Sequence, residues 1–406
     1  MNRKTLGTLA GASALGIGIG LQRSQFGVLG ELMAKQHWFA DSMIGELGGI
    51  SLAGYITGCI FQRGLKSELN NIRAVRVGLA LAVLSFFIEP LISADSWQIL
   101  WRFIAGWASA QLVTGVPGLG VRYHSIDEKR RALAYVFAGA GFAALLGSVL
   151  VSLIASASII NSWVVTGMIA VVMAIPIHLL LDFCIEEELA KRNAAQPQAV
   201  SDHAGAQASE LRPSSNMNGW GKGLKLLALS TFFFGASQVT VLTYYPLLLV
   251  DKFNVTQAAA QASFANVGIG YTIGALATGY MNRKWKTDSL MTISALIGAV
   301  GTTICAIAAN VPLVGIGAFA FAFWNGSMMG LLLHRINQSV AEQYARTTWS
   351  QFSLILSLGF LGFSFISAAI ADTNVNGIIW SGSILAIAHL AFQILAKRRF
   401  EREYSN

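Results

Sequence analysis

From Gly16 to Gly30 the chain reads GIGIGLQRSQFGVLG, with Gln22, Arg23, Ser24 and Gln25 set in an apolar run long enough to cross a membrane. An arginine at that depth costs about 2.5–3.5 kcal/mol on insertion scales. The segment therefore has a reason to keep it. At helical spacing Gly16, Gly20, Arg23, Gly27 and Gly30 fall on one face. A glycine face lets a second helix approach closely. Arg23 is thus expected to face a packed interior or polar cavity, where it either binds a carboxylate or other anion through its planar fork of donors or closes a structural ion pair within the first bundle.

The rest of the chain fits that reading. Its 406 residues are 54% hydrophobic and 12% charged, about half the charge of a soluble protein. Twelve apolar segments follow one another, at roughly 5–34, 42–63, 72–94, 96–121, 130–156, 162–184, 222–250, 257–281, 288–309, 311–335, 345–370 and 374–397. Each is near the ~20 residues a spanning helix needs. The expected class is an all-α membrane protein of twelve transmembrane helices. The start, Met1-Asn2-Arg3-Lys4 before an apolar run, resembles a signal peptide, but no clear cleavage site follows, so it is read as an uncleaved first helix.

Charge sets the topology. With the N-terminus in the cytoplasm, nearly all Lys and Arg fall on the inner side, and the outer side holds only Lys35 and Lys252. Both termini are expected inside, in a bacterial inner membrane. The net charge of +8 is then a membrane-topology signal, not a nucleic-acid one. The partners implied are a lipid bilayer and a small-molecule solute, with no nucleic acid, and the chain is read as a monomer. Cys59, Cys184 and Cys305 are too scattered for a disulfide framework or metal site. No P-loop, nucleophile elbow or metal spacing points to an enzyme or a cofactor.

One polar stretch, Glu186 to Gly221, reads as a cytoplasmic linker. It divides the chain into 1–185, 186–221 and 222–406, six helices on each side. The halves share weak similarity: Ser24-Gln25 with Ser237-Gln238, Thr57-Gly58 with Thr278-Gly279, Arg131 with Arg346. The common order and similar offset favour duplication. Two six-helix bundles joined by a loop is the layout of major-facilitator transporters.

At the level of motifs the chain resembles the major facilitator superfamily, and within it the YbfB/YjiJ-type branch. That branch's helix 1 motif, Gly-x-Gly-Arg-Phe, appears as Gly20-Leu21-Gln22-Arg23-Ser24, without the second glycine and the Phe. Its helix 4 motif appears as Arg102-Phe103-Ile104-Ala105-Gly106. In the loop after helix 2, Gln62 replaces the superfamily's acid before Arg63, and Gly279 to Arg283 also lacks it. The Gly-Pro antiporter motif is absent. The resemblance implies the major-facilitator fold and transport by alternating access. It does not imply a substrate.

Several further residues could carry function. Glu46, Glu89 and Arg102 sit in apolar segments of the first half. Glu89 and Arg102 are read as an ion pair across the short link between segments 3 and 4. Glu46 is either a partner in that network or a desolvated proton carrier. The second half offers neutral groups: Gln238, Tyr244 and Tyr245 in segment 7, Asn266 in segment 8, Asn325 in segment 10, Gln351 in segment 11. Each either binds solute or bonds to a neighbouring helix. The superfamily's rule that the first and fourth helices of each half line the cavity adds Gln22, Gln25 and Gln111 to Arg23. Pro246 can break segment 7. Trp38, Trp97, Trp163, Trp220, Trp285 and Trp380 read as interfacial anchors. The resulting expectation is a secondary transporter of a small anion or zwitterion. Export of hydrophobic drugs, or a receptor or assembly factor of transporter-like fold, remain alternatives.

Overall fold

A computed structural model describes residues 2–39, 42–65, 67–154, 158–195, 220–281, 285–371 and 374–403. The described chain is helical throughout. The first apolar segment forms α1 (Arg3–Leu15), a π-helical stretch (Gly16–Ser24) and α2 (Phe26–Lys35). Then come α3 (Ser42–Gly64), α4 (Glu68–Ile88), α5 (Asp95–Val121), α6 (Ile126–Ile154) and α7 (Ile159–Ala195). The second half holds α8 (Lys222–Phe253), α9 (Gln257–Ser263), α10 (Ala265–Tyr280), α11 (Thr287–Ile307), α12 (Val311–Ser339), α13 (Glu342–Ala371) and α14 (Val375–Glu403).

Ten helical spans among the described residues are long and apolar enough to cross a membrane. The fourth and eighth apolar segments fall outside that set for different reasons. α5 has the length but carries Asp95, Gln98, Arg102 and Gln111 along it. The eighth segment is interrupted at Phe264, leaving pieces of 7 and 16 residues. The protein's outer surface is apolar, with Val172, Ile316 and Ile384 projecting outward. Water gives no reason for such a surface, whereas lipid does.

Local chemistry sets the tight links. Asn310 caps α12, its Oδ1 accepting from the Leu313 backbone N–H at 3.0 Å. Pro312 follows in the first turn, where its missing N–H costs nothing. Asn254, at φ 51°, ends α8 in the left-handed conformation. Pro246, expected as a break, lies within the continuous α8. The expected linker begins late: α7 continues to Ala195, with Glu187 held by Arg122 at 2.8 Å and by Lys191 at 3.1 Å. Residues 196–219 lie outside the described residues, as do Lys66 and residues 282–284 of the second-half motif.

Packing follows the small residues. α3 lies along α5, where a side chain on Gly54 or Gly106 would overlap the opposing backbone at Phe103 or Ser51. In the second half α8 packs on α14 and α13, and α11 and α10 pack on α12. Between the halves α10 runs along α6, and α13 along α3. At one end these pairs are tied by arginines. Arg130 of α6 donates to the carbonyls of Thr278, at 2.8 Å, and Met281. Arg346 of α13 donates to the Leu65 carbonyl at 2.9 Å and pairs with Glu68 at 3.5 Å. One turn further in, Ser350 donates to the Cys59 carbonyl at 3.1 Å.

Candidate functional site

The site begins with the backbone of the first segment. From Gly16 to Ser24 the helix widens to π geometry, a form that recurs at functional sites. Three glycines permit it by letting neighbours approach. A Cβ on Gly20 would sit 2.5 Å from the Ala140 carbonyl of α6, and one on Gly18 2.9 Å from Val113 of α5. The wider turn also rotates the residues C-terminal to it. Gly16 and Gly20 face α6, but Gly27 meets nothing within 4 Å and Gly30 faces Ile44 of α3. The single face expected from a 3.6-residue period is therefore split.

Arg23 points into a central cavity of about 1100 Å³, counting the space at its mouth. A recess of about 520 Å³ adjoins it and shares Ile19, Arg23, Ser24, Leu242, Met329 and Leu356. The guanidinium lies over the Phe360 ring, 3.9 Å from its centroid. Its Nε and Nη2 are buried and have no hydrogen-bond partner. Ser353, also on the wall, has a buried hydroxyl beside the Tyr55 phenol. Tyr55 of α3 and Tyr271 of α10 are the ionisable groups that face Arg23. The cavity thus presents two guanidinium donors that no described residue accepts from.

The cavity lies away from the arginine ties. Its α3 wall runs from Ile44 to Tyr55, whereas the ties engage Cys59 and Leu65. Its α13 wall runs from Ser353 to Ser364, and the ties use Arg346 and Ser350. At 1.5 Å per residue, the closed end and the cavity occupy different depths of the same helices.

The other ionisable groups separate from Arg23. Glu89 and Arg102 form an ion pair, their side chains 0% and 1% exposed. Arg102 is also flanked by Phe26, at 4.2 Å from the ring centroid, and by Trp163, at 5.4 Å. Trp163 is itself fully buried, so it is core rather than an interfacial anchor. Glu46 is exposed and lines neither the cavity nor the recess.

The amides divide in the same way. Gln22 reaches the cavity wall, but its Nε2 donates to the Ala82 carbonyl at 2.8 Å and to Ser85 at 2.6 Å. Gln111 accepts from Gln62 at 2.8 Å and donates to the Gly58 carbonyl at 3.3 Å, away from the cavity. The Gln62 that replaces the superfamily's acid therefore ties α3 to α5. Gln25 accepts from Ser148 at 3.2 Å behind the wall. In the second half Tyr244 lines the cavity, and Gln238 and Asn325 line the recess. Asn325 donates to its own helix at Phe321, 3.2 Å away. Tyr245 turns into the core beside Asn266, and neither they nor Gln351 line the cavity.

Tyr55, Ser353 and Phe360 are wall residues the sequence reading missed. All sit on α3 and α13, the second and fifth long helices of their halves, outside the set the superfamily rule selects. Ser353 and Phe360 are seven residues apart, two turns on one face of α13, a spacing visible in the sequence.

Comparisons with known proteins bear on the whole chain. A family model described as uncharacterised MFS-type transporter YbfB matches residues 14–398. Among solved structures, the human organic anion transporter MFSD10 (TETRAN) is similar in fold, with a TM-score of 0.67 at 13% identity over 96% of this chain and 98% of that one. No curated protein matches the sequence.

Proposed function

Because the chain belongs to the family of MFS-type transporters represented by YbfB, we propose that it moves a small organic anion or zwitterion across the membrane by alternating access. The observation that carries the reading is Arg23: a cation with two unpartnered buried donors, facing the cavity. A carboxylate placed there accepts both hydrogen bonds and neutralises the charge. Tyr244, Gln238 and Asn325 supply neutral recognition from the other half. The likeness to MFSD10 concerns the fold, and the anion reading rests on Arg23.

In this reading the twelve apolar segments are twelve spans in two six-helix bundles, residues 1–185 and 222–406. Residues 186–221 connect them. The α9–α10 pair is one broken span, and the polar α5 is sheltered by its neighbours. The basic ends are cytoplasmic, so the arginine ties close the cytoplasmic side and the cavity faces outward. The bilayer is a bacterial inner membrane. The chain works as a monomer and performs no covalent chemistry.

A second reading, export of lipophilic compounds, draws support from Phe26, Val113, Val239, Leu356 and Phe360 on the wall. Ligand-induced thermal stabilisation separates the two. The purified protein and its Arg23→Gln variant are melted with a panel of carboxylates, amino acids and lipophilic cations. Stabilisation by a carboxylate or zwitterion, lost in Arg23→Gln, supports the proposal. Stabilisation of both proteins by cations alone supports drug export. Saturable flux in vesicles distinguishes either from a receptor or assembly factor.

A further inference from the structure

We propose that this carrier is an obligatory anion exchanger: it reorients with an anion on Arg23 and does not return empty. The inference rests on the anion reading above and adds how the transport is driven. It comes from the charge balance of the cavity. Among the described residues, the charged ones on the walls of the cavity and its recess are Arg23 and Arg102. Arg102 is neutralised by Glu89, which leaves the charge of Arg23 uncompensated. Facing it are the phenols of Tyr55 on α3 and Tyr271 on α10. Phenols titrate near pH 10 and are neutral at physiological pH. Glu46 is exposed and off the wall.

Alternating access requires the cavity to close before the opposite side opens. Nε and Nη2 of Arg23 are already buried, and closure removes the part of the side chain that still meets the cavity from water. An ion buried without a counter-charge is strongly disfavoured, and the Phe360 face offsets only part of that cost. A bound carboxylate supplies the missing charge and accepts from Nε and Nη2 of Arg23. The loaded carrier therefore crosses readily and the empty one does not. One anion enters as another of the same charge leaves. The cycle moves no net charge, and no wall carboxylate is present among the described residues to carry a proton with it.

The test has two arms. Protein reconstituted in vesicles is given radiolabelled acetate, lactate, benzoate or succinate outside. The vesicles are either empty or loaded with the same unlabelled acid, with and without an imposed pH gradient or membrane potential. The expected result is uptake at least tenfold faster into loaded vesicles, unchanged by either gradient. Rapid net uptake into empty vesicles, or acceleration by the pH gradient, overturns exchange and leaves the anion reading standing. Uptake of lipophilic cations with no carboxylate transported overturns both.

The second arm needs no solute. Dyes on Arg63→Cys and Lys286→Cys, both exposed at the tied end, report opening of single molecules by energy transfer. Without anion the otherwise native carrier, and its Arg23→Lys variant, should switch rarely. Arg23→Gln should switch at least tenfold more often. Equal switching in native, Lys and Gln forms overturns the proposal, whatever the solute.

Discussion

Glu89 and Arg102 neutralise each other between α4 and α5, with neither side chain reached by solvent, and this pairing is what leaves Arg23 as the cavity's uncompensated charge. The two arginines look alike in the sequence, both set in apolar runs. Their neighbours separate them. Glu89 directly follows α4, and the link Glu89–Ala94 is short enough to bring it back against Arg102 of α5. Arg23 has no such acid within reach among the described residues.

Removing one partner of that pair should be costly, because it strands the other in a dry environment. Glu89→Gln is expected to destabilise the protein by ~3–5 kcal/mol. Glu89→Gln combined with Arg102→Leu should recover much of the loss. Thermal melting of the three proteins in one detergent checks this. A double variant no more stable than Glu89→Gln would show that the pair contributes little.

Arg23 should behave in the opposite way. It has no ion-pair partner to strand, so Arg23→Gln is expected to fold and melt within a few degrees of the native protein. The variant should lose carboxylate stabilisation altogether. A large drop in its melting temperature without solute would point to a structural role.

The glycines of the first segment give a contrast. A Cβ on Gly20 meets the Ala140 carbonyl at 2.5 Å and Ala143 at 2.8 Å, while one on Gly27 meets nothing within 4 Å. Gly20→Val should cost about 1–3 kcal/mol by overpacking the first segment against α6. Gly27→Ala should be neutral, or stabilising by up to ~1 kcal/mol through helix propensity. Melting curves of the two variants decide between this split and a single glycine seam, which predicts equal harm.

That split shows what the sequence could and could not convey. Helix positions were legible because apolar runs of ~20 residues have few other uses. The Glu89–Arg102 pairing was legible because a six-residue link restricts where its ends can go. The π turn was not, since it depends on α5 and α6 packing against Gly16, Gly18 and Gly20, a tertiary matter. Gln22 and Gln111 read as solute ligands from their helices, yet each is consumed by a neighbour: Ser85 for one, Gln62 for the other. Tyr55 and Phe360 drew no reading from the sequence, because only the placement of α3 and α13 beside Arg23 gives them a role.

His124 provides a pH test away from the bilayer. It lies between α5 and α6, in contact with Thr8 at 3.2 Å. Burial lowers its pKa below the usual 6.5; Glu128 opposes the shift and Lys4 adds to it. The folded state thus prefers the neutral ring. Its stabilising contribution is present above about pH 6.5 and is lost as the pH falls. Between pH 7.5 and pH 5 the native protein should lose more melting temperature than His124→Gln. Equal losses would show that the ring titrates alike in folded and unfolded chains.

The arginine ties should set which side is open. Arg130 and Arg346 each donate to backbone carbonyls at the end of a helix in the other half: Thr278 and Met281 close α10, and Leu65 follows α3. A guanidinium is favoured there by the negative end of the helix dipole. Hydrogen bonds to charged groups contribute about 1.5–3 kcal/mol when buried, and these half-exposed ones are discounted to about 1 kcal/mol each. Arg130→Gln or Arg346→Gln alone should raise the fraction open at this end about fivefold, and the pair together about twenty-fivefold, since the sites are on different helices and additive. Spin-label distances between Arg63→Cys and Lys286→Cys measure that fraction. A single closed population in the double variant would mean that the close packing of α6 on α10 and α13 on α3, rather than the arginines, holds the end shut.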